Sequence, residues 1–270
     1  MLAPAFVPRQ EHHSWIVLTA ICLSFILIGF NEALKRTALT KQSRKKIFIT
    51  VASVIGVWTV SLLVLSSNGF FADFTHLPPR PGIALLIPLP FILRFAFSKK
   101  GTELLQAIPT HWLIYMQSFR IAVELLLLLA FIGGRLPVQM TFEGRNFDIV
   151  TGLLALPVGY WVATRRAYAK KLAIVFNIIG MLLLLNILVI AVLSMPTPIR
   201  YFMNEPANTL VGDFPFILLP GILVPVAYGL HILSLRQLLK SDMPAKKVKL
   251  EIHQPDIHQD LPGKKTLEIL

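Results

Sequence analysis

Seven long apolar runs constrain this chain more than any other feature of its sequence. Each run has sixteen to twenty-four residues and almost no charge, and segments of that length match the hydrocarbon thickness of a bilayer. Backbone in lipid must satisfy its own hydrogen bonds, and the alternating ~10-residue strands of a barrel are absent, so the runs predict helices. The expected fold class is therefore all-α, with seven transmembrane helices. The predicted spans are Ser14–Phe30, Ile47–Ser66, Gly82–Phe97, His111–Ile132, Phe147–Thr164, Leu172–Met195 and Phe214–Leu235.

Composition excludes a soluble globule. Hydrophobic residues make up 55% of the chain, charged residues only 15%, and the mean hydropathy is +0.67, far from soluble averages. Residues 1–240 form the transmembrane domain in this interpretation, and residues 241–270 are expected to be a flexible basic cytoplasmic tail. The single cysteine, Cys22, lies in the first span, which excludes an intramolecular disulfide and a cysteine metal site.

The distribution of positive residues predicts the orientation. With an external N-terminus, 19 of the 26 Lys and Arg residues fall in internal segments, 5 in external segments and 2 in spans. The positive-inside rule then favours an N-out, C-in topology. This topology, with contact to anionic headgroups of the cytoplasmic leaflet, explains the formal net charge of +12, so no nucleic acid partner is expected.

The fourth span carries two charges near its midpoint. Arg120 and Glu124 are spaced i, i+4 and share a helix face, with Gln117 one turn below. Because a charge at this depth costs roughly 3 kcal/mol or more, this face must look into the bundle or a wet cavity. Two interpretations stay open: a functional site, or a local ion pair that holds neighbouring helices, with Asn186 of the sixth span as a partner.

The external loop that follows, Gln139–Ile149, concentrates polar residues. Asn146 is a suitable N-cap for the fifth helix, and Asp148 in the first turn complements the helix dipole. Capping does not require Glu143 and Arg145. These two are expected either to be ordinary loop residues or to form a polar mouth for a ligand or partner.

Two stretches of this region resemble a known family. They are QSFRIAVE, Gln117–Glu124, and PVQMTFEGRNFDIVTGLLA, Pro137–Ala155. Together they resemble an uncharacterised family of bacterial multi-spanning, seven-helix inner-membrane proteins. The resemblance covers mainly the fourth and fifth spans and implies a bacterial inner-membrane location, but no known activity, cofactor or substrate.

Prolines interrupt three spans. The bends that they introduce serve either packing or a binding crevice. The residues are Pro88, Pro90, Pro157, Pro220 and Pro225.

Two other features have competing interpretations. His111 and His231 are expected near the cytoplasmic interface, where interfacial histidines are far commoner than a bis-histidine haem site, so no cofactor or metal is expected. The segment SVIG at Ser53–Gly56 recurs as NIIG at Asn177–Gly180, which indicates either a three-plus-one-plus-three duplication or chance recurrence in an apolar sequence.

Two function classes remain. In the first, the protein binds or moves a small polar solute or a proton through a buried site, where Arg120 holds an anionic group and Glu124 carries the compensating charge or the proton. In the second, a non-enzymatic sensor or scaffold, the external loop associates with a partner membrane protein. The sequence has no HExxH, GxSxG or Walker A motif, so an enzyme is the least supported class.

Overall fold

The computed structural model describes residues 7–240, with side chains from residue 12, and contains helices but no strand within that range. The predicted tail, residues 241–270, lies outside the described residues. The described chain forms ten α-helices: α1 (Val7–Lys35), α2 (Lys41–Ser67), α3 (Arg80–Leu86), α4 (Pro88–Phe97), α5 (Lys99–Ala107), α6 (Thr110–Tyr115), α7 (Phe119–Ile132), α8 (Asp148–Ala163), α9 (Ala169–Leu193) and α10 (Val224–Lys240). The all-α prediction is confirmed for this range.

Six helical segments of the described chain are long and apolar enough to cross a bilayer, which indicates a multi-pass membrane protein. Three are single helices, α1 from His12, α2 and α9. The other three combine neighbouring helices or turns: Arg80–Phe97, Thr110–Ile132 and Leu219–Lys240.

The fifth predicted span is the exception. It corresponds to α8, an apolar helix of 16 residues, which is about 24 Å long and so shorter than a hydrocarbon core of about 30 Å. Residues beyond both of its ends turn away from the helix axis. Asn146 is buried in the preceding loop, and Arg165 has a positive φ of 50°, so neither end extends the helix.

The last predicted span is displaced along the chain. The span begins at Leu219 rather than Phe214 and continues to Lys240 rather than Leu235. Pro215 and Pro220 lack the backbone N–H that a regular helix needs, so residues before Leu219 form turns instead. His231 consequently lies about 13 Å from the end of α10.

The last span is the centre of the bundle and α2 its edge. In the most apolar 18-residue stretch of Leu219–Lys240, 56% of the residues are buried, against 6% for the same measure in α2. Helix α10 packs against α4, α6 and α9, and α8 packs against α6, α7 and α9. A side chain that points inward from α7 or α10 is therefore surrounded by protein, whereas α2 offers most of its surface to lipid.

A π-helical turn at Leu219–Leu223 begins the last span. Pro225 has no N–H to donate to the carbonyl of Gly221, four residues earlier. The indole Nε1–H of Trp58, on α2, donates to that carbonyl at 2.9 Å. Gly221 also lets α2 approach, because a Cβ there would lie 2.5 Å from Leu62 Cδ1. The proline bend is thus stabilised by a second helix.

We expect Trp58→Phe to lower the free energy of unfolding by about 1 kcal/mol, because the Gly221 carbonyl loses a donor inside an apolar bundle. Denaturation of the purified protein in mixed micelles measures this change. When Pro225→Ala is combined with Trp58→Phe, the new backbone N–H at position 225 can donate to the Gly221 carbonyl, so the loss of stability should be smaller. Trp161→Phe, an exposed tryptophan on α8, is the matched control, and an equal loss there would contradict the assignment.

Candidate functional site

Arg120 occupies the centre of a polar site where four helices meet. Its side chain is only 2% exposed. Its Nε donates to Asp148 Oδ2 at 2.6 Å, and its Nη2 forms an ion pair with Asp148 Oδ1. The same Nη2 donates to the carbonyl of Gly180 at 3.4 Å, and Nη1 lies 2.8 Å from His231 Nε2. A single guanidinium therefore joins α7, α8, α9 and α10.

The geometry determines the tautomer of His231. Because an arginine can only donate, His231 Nε2 must accept from Arg120, and its proton must lie on Nδ1. That Nδ1–H donates to Asn177 Oδ1 at 2.9 Å. The amide nitrogen of Asn177 in turn donates to Ser234 Oγ at 3.0 Å and to the carbonyl of Ala173 at 2.7 Å. His231 is thus a neutral acceptor held in one orientation.

Small residues allow the helices to approach one another at this site. A Cβ on Gly180 would lie 2.5 Å from His231 Nε2 and 2.9 Å from Thr151 Cγ2, and a Cβ on Gly152 would lie 2.8 Å from Ile121 Cγ1. By contrast, a Cβ on Gly56 would meet nothing within 4 Å. The repeated SVIG and NIIG segments therefore lie in different environments.

The carboxylate of Glu124 is hydrogen-bonded to Asn146 and not to Arg120. Asn146 Nδ2 lies 2.7 Å from both Glu124 Oε1 and Oε2 and also donates to the carbonyl of Met140. Glu124 is 1% exposed. A local ion pair between Arg120 and Glu124 was one of the two open interpretations, but Asp148 at the start of α8 pairs with the guanidinium instead.

Asn146 links this site to the external loop. Its Oδ1 accepts from the backbone N–H of Asp148 at 3.0 Å, as a capping side chain would. The N-cap position itself is held by Phe147, because α8 begins at Asp148. Gly144 keeps the loop compact, because a Cβ there would lie 2.3 Å from the carbonyl oxygen of Val138. The loop is thus built into the bundle rather than lying free above it.

A cavity of about 80 Å³ borders the charged residues. Arg120, Glu124 and Asp148 are its charged lining residues, and the rest of its wall is apolar. Part of that wall comes from the proline-containing segments at Pro81 and Pro220. Because one water needs about 10–15 Å³ on this measure, the cavity has room for several waters or one small solute.

The remaining predicted site residues lie apart from this cavity. Gln117 is fully buried, and its Nε2 donates to the carbonyl of Ala227 at 3.1 Å, while its Oε1 has no partner in the described part of the chain. Asn186 does not join the charged pair, because its Nδ2 donates to the backbone carbonyl of Arg145 at 2.9 Å. Glu143 and Arg145 are exposed, and the Arg145 guanidinium lies over the ring of Phe202 at 5.2 Å.

Sequence reasoning missed His231 as a member of the site. His231 was expected to be an interfacial histidine without a partner, but its side chain is 0% exposed and both of its ring nitrogens are engaged by Arg120 and Asn177. For the same reason it has no nitrogen available to a haem iron opposite His111. The available signal was the polar pair His231 and Ser234, one turn apart on one face of an apolar segment.

Among residues 7–240, no group of three or more His, Cys, Asp or Glu is placed to hold a metal ion.

Comparison with known proteins gives one match. No curated protein and no solved structure matches the chain. A family model described as Domain of unknown function (DUF8737) matches residues 81–239, which include α4 to α9 and every residue of the polar site. The match covers more than half of the sequence, and the chain therefore belongs to this family.

Proposed function

We propose that this protein is a seven-span protein of the bacterial inner membrane, with its N-terminus outside, that binds and moves a proton or a small cationic solute through the buried site. The observation that carries the proposal is a second carboxyl group at the cavity, in addition to the one that pairs with the guanidinium. Its charged lining consists of one cation, Arg120, and two anions, Asp148 and Glu124. Asp148 is the ion-pair partner of Arg120, so Glu124 is left as a surplus carboxylate.

The arrangement of Arg120 argues against an anionic ligand. Its donors already face Asp148, His231 and the carbonyl of Gly180, so binding of an anion would require breaking contacts to three helices. Glu124 receives its hydrogen bonds from the amide of Asn146. A carboxylate held in an apolar wall by a neutral donor is suited to gaining a proton or meeting a cation.

Contacts between loops support a topology of seven spans, whereas the N-out orientation rests on the positive-inside rule. Arg36, just after α1, donates to the carbonyl of Ala107 at the end of α5 at 3.1 Å. At the other end of the bundle, Gln139 of the loop after α7 donates to Ser194 Oγ, just after α9, at 3.1 Å. Each pair joins segments that alternating spans would put on one side of the membrane. The exposed apolar side chains Leu153, Leu156 and Trp161 of α8 suit contact with lipid.

The proline-containing segments offer a route to the cavity. Pro81 and Pro220 line it, and a π-helical turn such as Leu219–Leu223 interrupts the regular hydrogen bonding of a helix, as turns of this kind often do at functional sites. Interrupted helices border substrate sites in many transporters. A change in the bend of either segment would open the cavity without unfolding the bundle.

A sensor or scaffold that associates with another membrane protein is the second candidate. It is favoured by exposed apolar side chains on the loop between α9 and the last span, where Tyr201 is 72% and Met203 68% exposed. This loop contacts the one that contains Arg145, through Phe202. In this function the charged site serves only to hold the helices together.

We expect Glu124→Gln to abolish proton or cation movement while the protein still folds, because the substitution removes the surplus charge and keeps the side-chain shape. The measurement is uptake into proteoliposomes driven by an imposed membrane potential, read with an internal pH dye for protons and with labelled methylammonium for a small cation. Signal at the level of protein-free liposomes is the expected result for the variant.

Glu143→Gln is the matched control, because it removes an exposed carboxylate from the neighbouring loop and should leave uptake unchanged. Undiminished uptake in folded Glu124→Gln protein would overturn the transport proposal. No uptake of either cation by the wild type would also overturn it and would favour the scaffold.

A further inference from the structure

A second cavity, separate from the charged site, lies along the first helix. It has a volume of about 710 Å³ and lies between α1, the α5–α6 segment and α10. Its lining includes Leu18 and Phe25 of α1, Trp112 and Met116 of the facing segment, and Leu230 of α10. Ser118 and Tyr115 contribute the two hydroxyl groups of this lining, which is otherwise apolar apart from the indole N–H of Trp112 and the thiol of Cys22.

The position of this groove indicates what fills it. Its wall along α1 runs from Leu18 to Phe30, about 18 Å at 1.5 Å per residue, or a little over half of a hydrocarbon core of about 30 Å. Two of the lining side chains on α1 are exposed, Phe25 by 58% and Ile28 by 59%, so the groove is open along this helix. Apolar spaces of this kind do not hold water. In a bilayer, the apolar material available to an open groove is the acyl chain of a lipid in one leaflet.

Basic residues lie at one end of the groove. Arg36 follows α1 directly and is exposed, and its guanidinium carbon lies 5.4 Å from the centre of the Trp112 ring, which lines the groove. The segment Lys35–Lys46 contains six basic residues and no acidic residue. An acyl chain lying in the groove would have its headgroup beside this segment, where a negatively charged phosphate is attracted.

We propose that the groove between α1 and α6 is a binding site for one anionic phospholipid, with an acyl chain along α1 and the headgroup phosphate beside Arg36. The site differs from general attraction of basic loops to the membrane surface, because it combines a shaped apolar groove with one placed guanidinium. It is also independent of the charged site at Glu124.

Thermal unfolding in detergent with added lipid tests the site. Palmitoyl-oleoyl phosphatidylglycerol should raise the midpoint of the wild type more than phosphatidylcholine with the same chains, because a ligand that binds the native state stabilises it. Arg36→Gln should remove the preference for phosphatidylglycerol. Lys45→Gln removes the same charge from the same segment at an exposed position and should retain the preference.

The groove itself is tested at Gly29, which lines it and where a Cβ would meet nothing within 4 Å. Gly29→Leu should occupy the groove and abolish stabilisation by both lipids, whereas Gly56→Leu, at an equally open glycine of α2, should leave it intact. Equal stabilisation of the wild type by the two lipids would overturn the proposal. So would retention of the wild-type shift in Gly29→Leu, or a dimer in solution that this variant alone dissociates, because a second copy would then fill the groove.

Discussion

Arg120→Leu is expected to lower the free energy of unfolding by about 3–5 kcal/mol, because it leaves the buried carboxylate of Asp148 without its cation. Asp148 and Arg120 are joined by two contacts across α7 and α8, and both side chains are almost entirely buried. Asp148→Leu should cost a similar amount, since the guanidinium then lies uncompensated among apolar helices. Reversible denaturation in mixed micelles measures both losses.

A double-mutant comparison identifies the partner. Arg120→Leu combined with Asp148→Leu should be much less destabilising than the sum of the single changes, because no unpaired charge remains between them. Arg120→Leu combined with Glu124→Leu should show no such recovery, because Asp148 is still unpaired. The reverse pattern, recovery with Glu124 and none with Asp148, would contradict the assigned ion pair. Arg145→Leu, an exposed arginine, serves as the control for loss of positive charge.

Gly180→Ala is expected to lower the free energy of unfolding by about 1–3 kcal/mol. The added Cβ would lie 2.4 Å from His231 Cε1 and 2.5 Å from Nε2. Overpacking of this kind forces shifts of side chains or backbone. His231 has little freedom to move, because Arg120 and Asn177 hold its two ring nitrogens. The imidazole should therefore lose one of these hydrogen bonds.

Gly56→Ala is the matched control for this substitution. Gly56 ends the SVIG segment as Gly180 ends NIIG, but a Cβ there meets nothing within 4 Å. Alanine has the higher helix propensity, so the control should be neutral or stabilised by up to about 1 kcal/mol. A Gly180→Ala protein as stable as this control, with unchanged His231 resonances in the NMR spectrum of the ¹⁵N-labelled imidazole, would disprove the close contact.

The described fold could be predicted largely from residue type. Six of the seven apolar runs correspond to helical segments long enough to span a bilayer, because runs of this length leave a helix as the only way to satisfy the backbone in lipid. The predictions were weakest at helix ends. The last span is displaced by five residues, which changes the position of His231 along it.

The candidate site was predictable only in part. Two charges four residues apart in an apolar helix indicated that Arg120 and Glu124 face inward, and both are buried. The residues that contact them lie elsewhere in the chain, because Asp148 is 28 residues from Arg120 and His231 is 111 residues away. Spacing along one helix says nothing about which residues of other helices point to the same place.

The sequence by itself determined that this chain is helical, that it belongs in a membrane, and that charges on the fourth apolar run need partners. Those conclusions follow from the length of apolar segments and the cost of a bare charge in lipid, which depend on residue type alone. Only the tertiary structure decided that Asp148 pairs with Arg120, that Asn146 holds Glu124, and that a surplus carboxylate borders a cavity. Such pairings depend on how helices cross in space, which local sequence does not encode.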